Sequence, residues 1–351
     1  MNAKAKMTYA LIDIAVSKGL KEIKENSGRG LRNLVDLGKR LSKGKHQQIF
    51  FQLAQQILDD QSSVYYEIVD RTVQYANPNA LKRFGMNLGY NAWTYGAEKI
   101  REHEKWRGYN IPWKLIFDFS DHSDDPMSFR RISGLLEEGE SLGIYCAIFF
   151  IGENESLIEV VQNLAQSHPD SSYFVFLNPI CVTEQYAQRS IAEGNIVFVF
   201  ETSPGTDMQL QAADTADILY RNGCLFGCYS VYDNTKSNEI IGDRFLKDLE
   251  TLRCPFVFFI DGGLTDSKTK KNITDFLNDA KNESGYSFFL ADFYADLAYI
   301  DYAISNRDCF LCFQADGRVS TQRMGNIKHG LNAKNDSMDK ILSIAMPAGH
   351  I

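Results

Sequence analysis

Hydrophobic positions change rhythm once along this chain. Up to residue 107 they recur at helical spacing: Leu11, Ile14, Ala15 and Leu20, then Ile49, Leu53, Ile57 and Leu58. That spacing predicts three to five helices, with Asn77-Pro78-Asn79 as a turn. From Ile111 onward short apolar runs take over: Trp113–Phe119, Gly143–Ile151, Ser172–Leu177, Asn195–Phe200, Leu225–Tyr232 and Pro255–Ile260. Amphipathic stretches separate them, namely Phe129–Leu142, Ser156–Ser167, Thr183–Ala192, Gln209–Asn222 and Arg244–Leu252. Near-continuous apolar strands alternating with helices mark a parallel sheet covered by helices. After Asn282 come strand-like runs at Tyr286–Phe293 and Cys309–Phe313, then the turn Ala315-Asp316-Gly317-Arg318 and a short strand at Val319–Gln322. The expected fold is α/β: a partial (β/α)6 TIM-like barrel with an N-terminal helical region and a small C-terminal β-hairpin appendage. The expected divisions are 1–107 helical, 108–282 barrel and 283–351 C-terminal.

Composition narrows the partners. A chain of 351 residues with 44% hydrophobic positions can bury a large core and is neither disordered nor collagenous. Lys and Arg number 37 against 45 Asp and Glu, a net charge of -8, so neither nucleic acid nor an anionic membrane is the expected partner. The basic stretch Lys39–Lys45 reads as a solvated loop or helix end, with docking of an acidic partner as the alternative. Phe50, Phe51, Tyr65, Tyr66 and Tyr75 read as packing groups. Seven cysteines, an odd number, argue against a closed disulfide framework and for a reducing compartment. No signal-peptide pattern opens the sequence and no apolar run reaches membrane-span length, so the expected location is cytoplasmic.

In β/α folds chemistry collects at the C-terminal ends of the strands. The loop Asp118–Asp125 holds four aspartates and His122 in eight residues. Such oxygen ligands with one imidazole can hold a divalent metal, with Asp118, Asp121 and His122 as candidate ligands; a plainly polar loop is the alternative. Glu153 and Glu201 close the second and fourth strand runs and are the acid/base candidates, against the simpler reading that charged strand ends meet solvent. His168 sits in a helix-to-strand turn and reads as a surface residue; His329 and His350 have no evident partners. Asp261-Gly262-Gly263 reads as a tight bend, or as a close approach for a ligand. Cys309 and Cys312 have Cys-x-x-Cys spacing, but in a strand they face opposite sides, and Cys224 and Cys228 would lie about 13 Å apart along one. Buried structural thiols are the better reading. No Gly-x-Ser-x-Gly, P-loop or complete Gly-x-Gly-x-x-Gly motif is found.

Taken in order, the motifs of residues 110–345 resemble the radical S-adenosylmethionine (SAM) superfamily: a partial barrel followed by an auxiliary-cluster, SPASM-like region. Asn110-Ile111-Pro112-Trp113 looks like the entry to the first barrel strand, and Gly152-Glu153-Asn154 is similar to the Gly-Gly-Glu-Pro end of the second. Phe174–Pro179 resembles the Thr-Asn-Gly strand end with Asn178 kept, Glu193-Gly194-Asn195 the fourth strand and Cys224-Leu225-Phe226-Gly227 the fifth. Asp292-Phe293, Ala315–Val319 and Gly325-Asn326-Ile327 look like the family's tail. The departures matter more. The family's cluster loop carries C-x3-C-x2-C; here it reads Ser120-Asp121-His122-Ser123-Asp124-Asp125-Pro126-Met127-Ser128. An auxiliary cysteine is also replaced in Ser320-Thr321-Gln322. The resemblance therefore implies a degenerate member: no [4Fe–4S] cluster, and residual SAM contacts at Gly152, Glu153 and Asn178. Its expected role is that of a pseudoenzyme, binding or regulating an active homologue, a peptide or a small metabolite. The alternatives are an enzyme with repurposed metal or acid/base chemistry at the barrel mouth and a protein that binds SAM without cleaving it. Side chains such as Trp113 or Phe119 plugging the mouth would count against the enzyme. The sequence assigns no substrate, oligomeric state or role for the N-terminal helices.

Overall fold

The computed structural model describes residues 3–42, 45–263, 265–283, 285–322 and 327–348. Gly325, Asn326, His350 and part of the basic stretch (Lys43 and Gly44) lie outside the described residues. Among the described residues there are ten strands: β1 (Leu115–Asp118), β2 (Cys146–Gly152), β3 (Ser172–Leu177), β4 (Ile196–Glu201), β5 (Leu225–Tyr232), β6 (Phe256–Asp261), β7 (Phe289–Asp292), β8 (Cys312–Gln314), β9 (Arg318–Ser320) and β10 (Ile327–Asn332). The helices Phe129–Leu142 and Ser156–Ser167 fall where the amphipathic period places them. Their ends are chemically marked: the Ser128 hydroxyl accepts from the Arg131 N–H at 3.3 Å, and Gly143 closes the helix in the left-handed conformation. No helix is long and apolar enough to cross a membrane among the described residues.

The chain forms two compact units, each built from two stretches of sequence. Unit one joins residues 1–82 to 202–292. Its N-terminal helices, Ala3–Glu25, Ser27–Leu41, Lys45–Asp59 and Val64–Tyr75, bury Ile23, Leu31, Leu58 and Val73 together. The turn expected at Asn77 is a helix cap: its side chain accepts from the N–H groups of Asn79 and Ala80 at 3.0 and 3.2 Å, with Pro78 first in the helix that follows. Strands β5, β6 and β7 run parallel, in register through Cys228↔Val257 and Phe256↔Phe289. Helix Val64–Tyr75 ties the two parts of the unit together. Tyr75 stacks on Tyr220 at 4.6 Å, and the Arg71 guanidinium donates to the carbonyls of Ser287 and Cys254.

Unit two joins residues 83–201 to 293–351 and carries the sheet order β10-β9-β8-β1-β2-β3-β4. Strands β8 and β1 to β4 are parallel, with Ile116 opposite Cys312 and Phe117 opposite Phe149; β9 and β10 are antiparallel. The hairpin signalled by Ala315–Arg318 is thus formed by β8 and β9, and β8 also lies beside β1. One sheet face is an aromatic ladder: Phe117 stacks on Phe149 at 4.7 Å, Phe149 on Tyr173 at 6.4 Å, and the Tyr173 hydroxyl donates to the Leu164 carbonyl of helix Ser156–Ser167. The opposite face meets helix Phe293–Ser305 through Phe293.

The N-terminal end of the sheet is closed by an unusual element, an eleven-residue π-helix at Met86–Gly96. Its Asn87 side chain donates to the carbonyls of Pro169 and Ser171, each at 2.9 Å, and its Asn91 side chain to that of Asp170 at 2.8 Å. At Gly96 a Cβ would stand 2.2 Å from the Gly143 carbonyl oxygen, so only glycine permits this crossing. Below β1, Lys114 and Asp301 form an ion pair with both side chains essentially inaccessible.

Candidate functional site

Strand ends in unit two set out the expected site residues side by side. Asp118 closes β1, Gly152 closes β2, Asn178 follows β3 and Glu201 closes β4. Gly152 adopts a φ of 55°, which turns the chain sharply off β2. Its carbonyl accepts from the Asn178 N–H at 2.9 Å and from the Cys181 thiol at 3.8 Å. The Asn178 side chain does two jobs: its carbonyl oxygen accepts from the Ile180 N–H at 3.1 Å, and its amide donates to Glu153 Oε1 at 3.3 Å. Gly152, Glu153 and Asn178 therefore converge. Glu153 is exposed, whereas Asn178 is buried. Glu201 lies one step past the last β3–β4 register pair, Leu177↔Phe200, and is half-buried.

The acidic loop behaves differently. Asp118 Oδ1 accepts from both the backbone N–H and the hydroxyl of Ser120, so its carboxylate is folded back on its own turn. His122 is exposed and faces Asp124 at 3.3 Å, while Asp125 pairs with Lys334 Nζ at 2.7 Å. Asp121 is exposed. Among the described residues no three His, Cys, Asp or Glu side chains gather as a metal site. Of the three candidates, Asp118 is held by Ser120, while Asp121 and His122 are exposed. Asp118, Asp121 and His122 do border a shallow cavity of about 60 Å³ with Arg318 across it.

A second cavity, of about 100 Å³, lies against β1 and β8, bordered by Ile116, Asp118, Phe150, Tyr294, Cys312 and Gln314. It is small beside the roughly 300–1,000 Å³ of ordinary ligand pockets. Aromatic rings fill the sheet face next to it. Phe150 and Phe176 are 4.6 Å apart, and Phe293 stands 5.6 Å from the first and 4.9 Å from the second. Trp113 and Phe119 are not the residues that do this. Trp113 precedes β1 and packs edge-on against Trp93 of the π-helix at 5.8 Å, while Phe119 packs with Phe117 and Phe149 on the ladder face. Sequence reasoning missed Phe293 and Tyr294 because Tyr286–Phe293 reads as a single apolar run. The only signal is that apolar positions after Asp292 switch to helical spacing, through Leu297, Ile300 and Ile304.

His168 is a correction. It is buried, with Nε2 2.8 Å from the Ser133 hydroxyl and Nδ1 3.4 Å from Glu140, which also accepts from the Ser171 hydroxyl at 2.7 Å. This relay joins two helices to the start of β3. At the end of β6, the Asp261 carboxylate accepts from the Gly263 N–H at 2.8 Å and the Thr265 hydroxyl at 2.6 Å, which makes Asp261-Gly262-Gly263 a braced bend. All seven cysteines are free and buried. Burial pushes Cys146 and Cys309 up to about 12 and Cys181 to about 11. The thiols that meet are Cys228 and Cys254, a pair far apart in sequence.

No protein-family model matches this sequence, and no curated protein sequence matches it. Solved structures do. SuiB from Streptococcus suis shares 10% identity over 72% of this chain and 70% of its own, with a TM-score of 0.50. The structure of SuiB bound to S-adenosylmethionine shares 10% identity over 72% and 68%, with a TM-score of 0.48. The likeness to the first establishes the fold: mixed α/β with a mostly parallel sheet and many helices, resembling a radical SAM TIM-like barrel.

Proposed function

We propose that this protein keeps a radical SAM-like fold without its iron–sulfur chemistry and works as a binding or regulatory protein, engaging a protein or peptide partner or a small metabolite. One observation carries the reading. The loop after β1, where such a fold would hold its cluster, offers only Ser, Asp, His, Pro and Met between residues 120 and 128, while every cysteine is buried elsewhere.

Cluster irons need thiolates, and burial holds Cys146, Cys181 and Cys309 protonated at neutral pH. The donor set therefore does not fit a [4Fe–4S] cluster. S-adenosylmethionine fares little better. Gly152, Glu153 and Asn178 converge, but the adjoining cavity of about 100 Å³ is too small to enclose it, and Phe150, Phe176 and Phe293 occupy the space beside it. Glu153 is exposed and hydrogen-bonded to the Asn178 amide, which favours a structural over a catalytic role for it.

Anaerobic reconstitution of the full chain with ferrous iron and sulfide tests the proposal. The expected outcome is a colourless protein after desalting. A stable brown chromophore with stoichiometric iron and sulfide would overturn it.

A further inference from the structure

Seven of the fourteen large hydrophobic side chains exposed among the described residues fall within the first 59 positions, a sixth of the chain. Where such side chains share one helix face they form an exposed apolar stripe. On helix Ala3–Glu25, Met7, Leu11 and Ile14 follow at four- and three-residue spacing and are 64, 63 and 66% exposed. The opposite side of that helix places Leu20 and Ile23 in the core with Leu31. On helix Lys45–Asp59, Ile49, Phe50, Leu53 and Ile57 face outward, while Leu58 joins the same core and Phe51 lies against Gly38. These are outer faces of helices whose inner faces are already used.

Charge is sorted in the same way. Residues 1–59 carry eleven Lys and Arg against five Asp and Glu, although the whole chain is at -8. Beyond Ile14 the exposed face of the first helix continues with Lys18, Lys21 and Lys24. Its acids are largely engaged: Asp13 pairs with Lys82 at 3.1 Å, and Glu22 accepts from the Asn33 amide at 3.0 Å and meets Lys18 at 3.6 Å, leaving Glu25 exposed. A second copy laid on this face would set like charge on like. A partner helix needs a groove, whereas ridges of apolar tips beside lysines suit a deformable anionic surface.

We propose that unit one docks on anionic phospholipid through helix Ala3–Glu25, with Met7, Leu11 and Ile14 entering the acyl boundary and Lys18, Lys21 and Lys24 meeting headgroups. The average charge of the chain conceals this face.

The test is co-sedimentation of the full chain with vesicles of pure phosphatidylcholine and of an equal mixture with phosphatidylglycerol. Binding is expected only to the anionic vesicles and is expected to fall as salt rises. Leu11→Glu with Ile14→Glu should abolish it, with the far-ultraviolet spectrum and melting curve unchanged because both sites are exposed. Removing Lys18, Lys21 and Lys24 as alanines should weaken it roughly fivefold per lysine. The proposal falls if the anionic vesicles do not sediment the protein, or if the Leu11/Ile14 variant binds like wild type. It also falls if vesicle binding is absent while the face is instead consumed by self-association, or by a synthetic helical peptide of leucine and glutamate.

Discussion

Replacing Phe293 with alanine should be among the most costly single changes in unit two. The ring is 2% exposed, and its centroid lies 4.9 Å from Phe176, 5.6 Å from Phe150 and 5.0 Å from Tyr294. Truncating a buried phenylalanine costs about 3–5 kcal/mol, and two aromatic partners at these distances place the site in the upper half of that range. For a unit of roughly 150–250 residues each kcal/mol moves the melting temperature by about 2–4 °C, so a fall of about 8–20 °C is expected. All three tryptophans, Trp93, Trp106 and Trp113, lie in unit two, so their fluorescence follows its unfolding selectively. The hole left behind would be apolar and dry, and should recover part of the lost stability when benzene is added. Phe293→Leu, which keeps most of the volume, should cost far less. A loss below about 1 kcal/mol for the alanine variant, with no benzene effect, would refute the packing of helix Phe293–Ser305 on this face.

The buried Lys114–Asp301 pair gives a second handle. Asp301→Ala strands a buried ammonium and should cost about 3–5 kcal/mol, whereas Lys114→Met combined with Asp301→Leu should recover most of that loss; additive losses in the urea cycle would contradict this. Native thiols should react slowly with Ellman's reagent at pH 8, where a group at about 12 is ionised roughly one part in ten thousand and Cys181 about one in a thousand. Their rate should climb about tenfold per pH unit and jump on unfolding, and a full equivalent reacting at once would count against this burial. Calorimetry with S-adenosylmethionine should give no binding heat, and micromolar affinity would mean that the Phe150–Phe176–Phe293 wall yields.

Local patterns were readable where one period and one cap acted together. Phe129–Leu142 carries a helical apolar stripe between Ser128 and Gly143, so the sequence marks both its ends. The six apolar runs from Trp113 to Ile260 each contain a strand for a similar reason. The pattern is silent where a change of element has no breaker. Strand β7 passes into helix Phe293–Ser305 between Asp292 and Phe293 without glycine or proline, so Phe293 reads as the end of a strand-like run rather than the start of a helix. Nothing in Met86–Gly96 distinguishes a π-helix from an α-helix either, since the difference lies in backbone pairing and in the Asn87 and Asn91 contacts. The composition of unit one rests on contacts such as Arg71 with Ser287 and Asn77 with Gly223, across distances that local periodicity does not reach.

At the site the sequence located residues but not their state. Gly152, Glu153 and Asn178 come together because the ends of adjacent parallel strands must. Whether the loop acids are available depends on partners drawn from elsewhere: Lys334 takes Asp125, and Ser120 turns Asp118 back on itself. The thiols are buried, as their place in apolar runs suggested, but the approach of Cys254 to Cys228 comes from outside any local spacing. Two features of separate origin then favour the same reading. On the proposed reading, a loop without cysteine offers no thiolate to a cluster, and the rings contributed by β2, β3 and helix Phe293–Ser305 pack together on the adjoining sheet face. Restoring cysteines to residues 120–128 alone would return donors without volume. On the proposed reading both would have to be restored together, so neither a cysteine-bearing loop nor Phe293→Ala alone should yield a cluster after reconstitution.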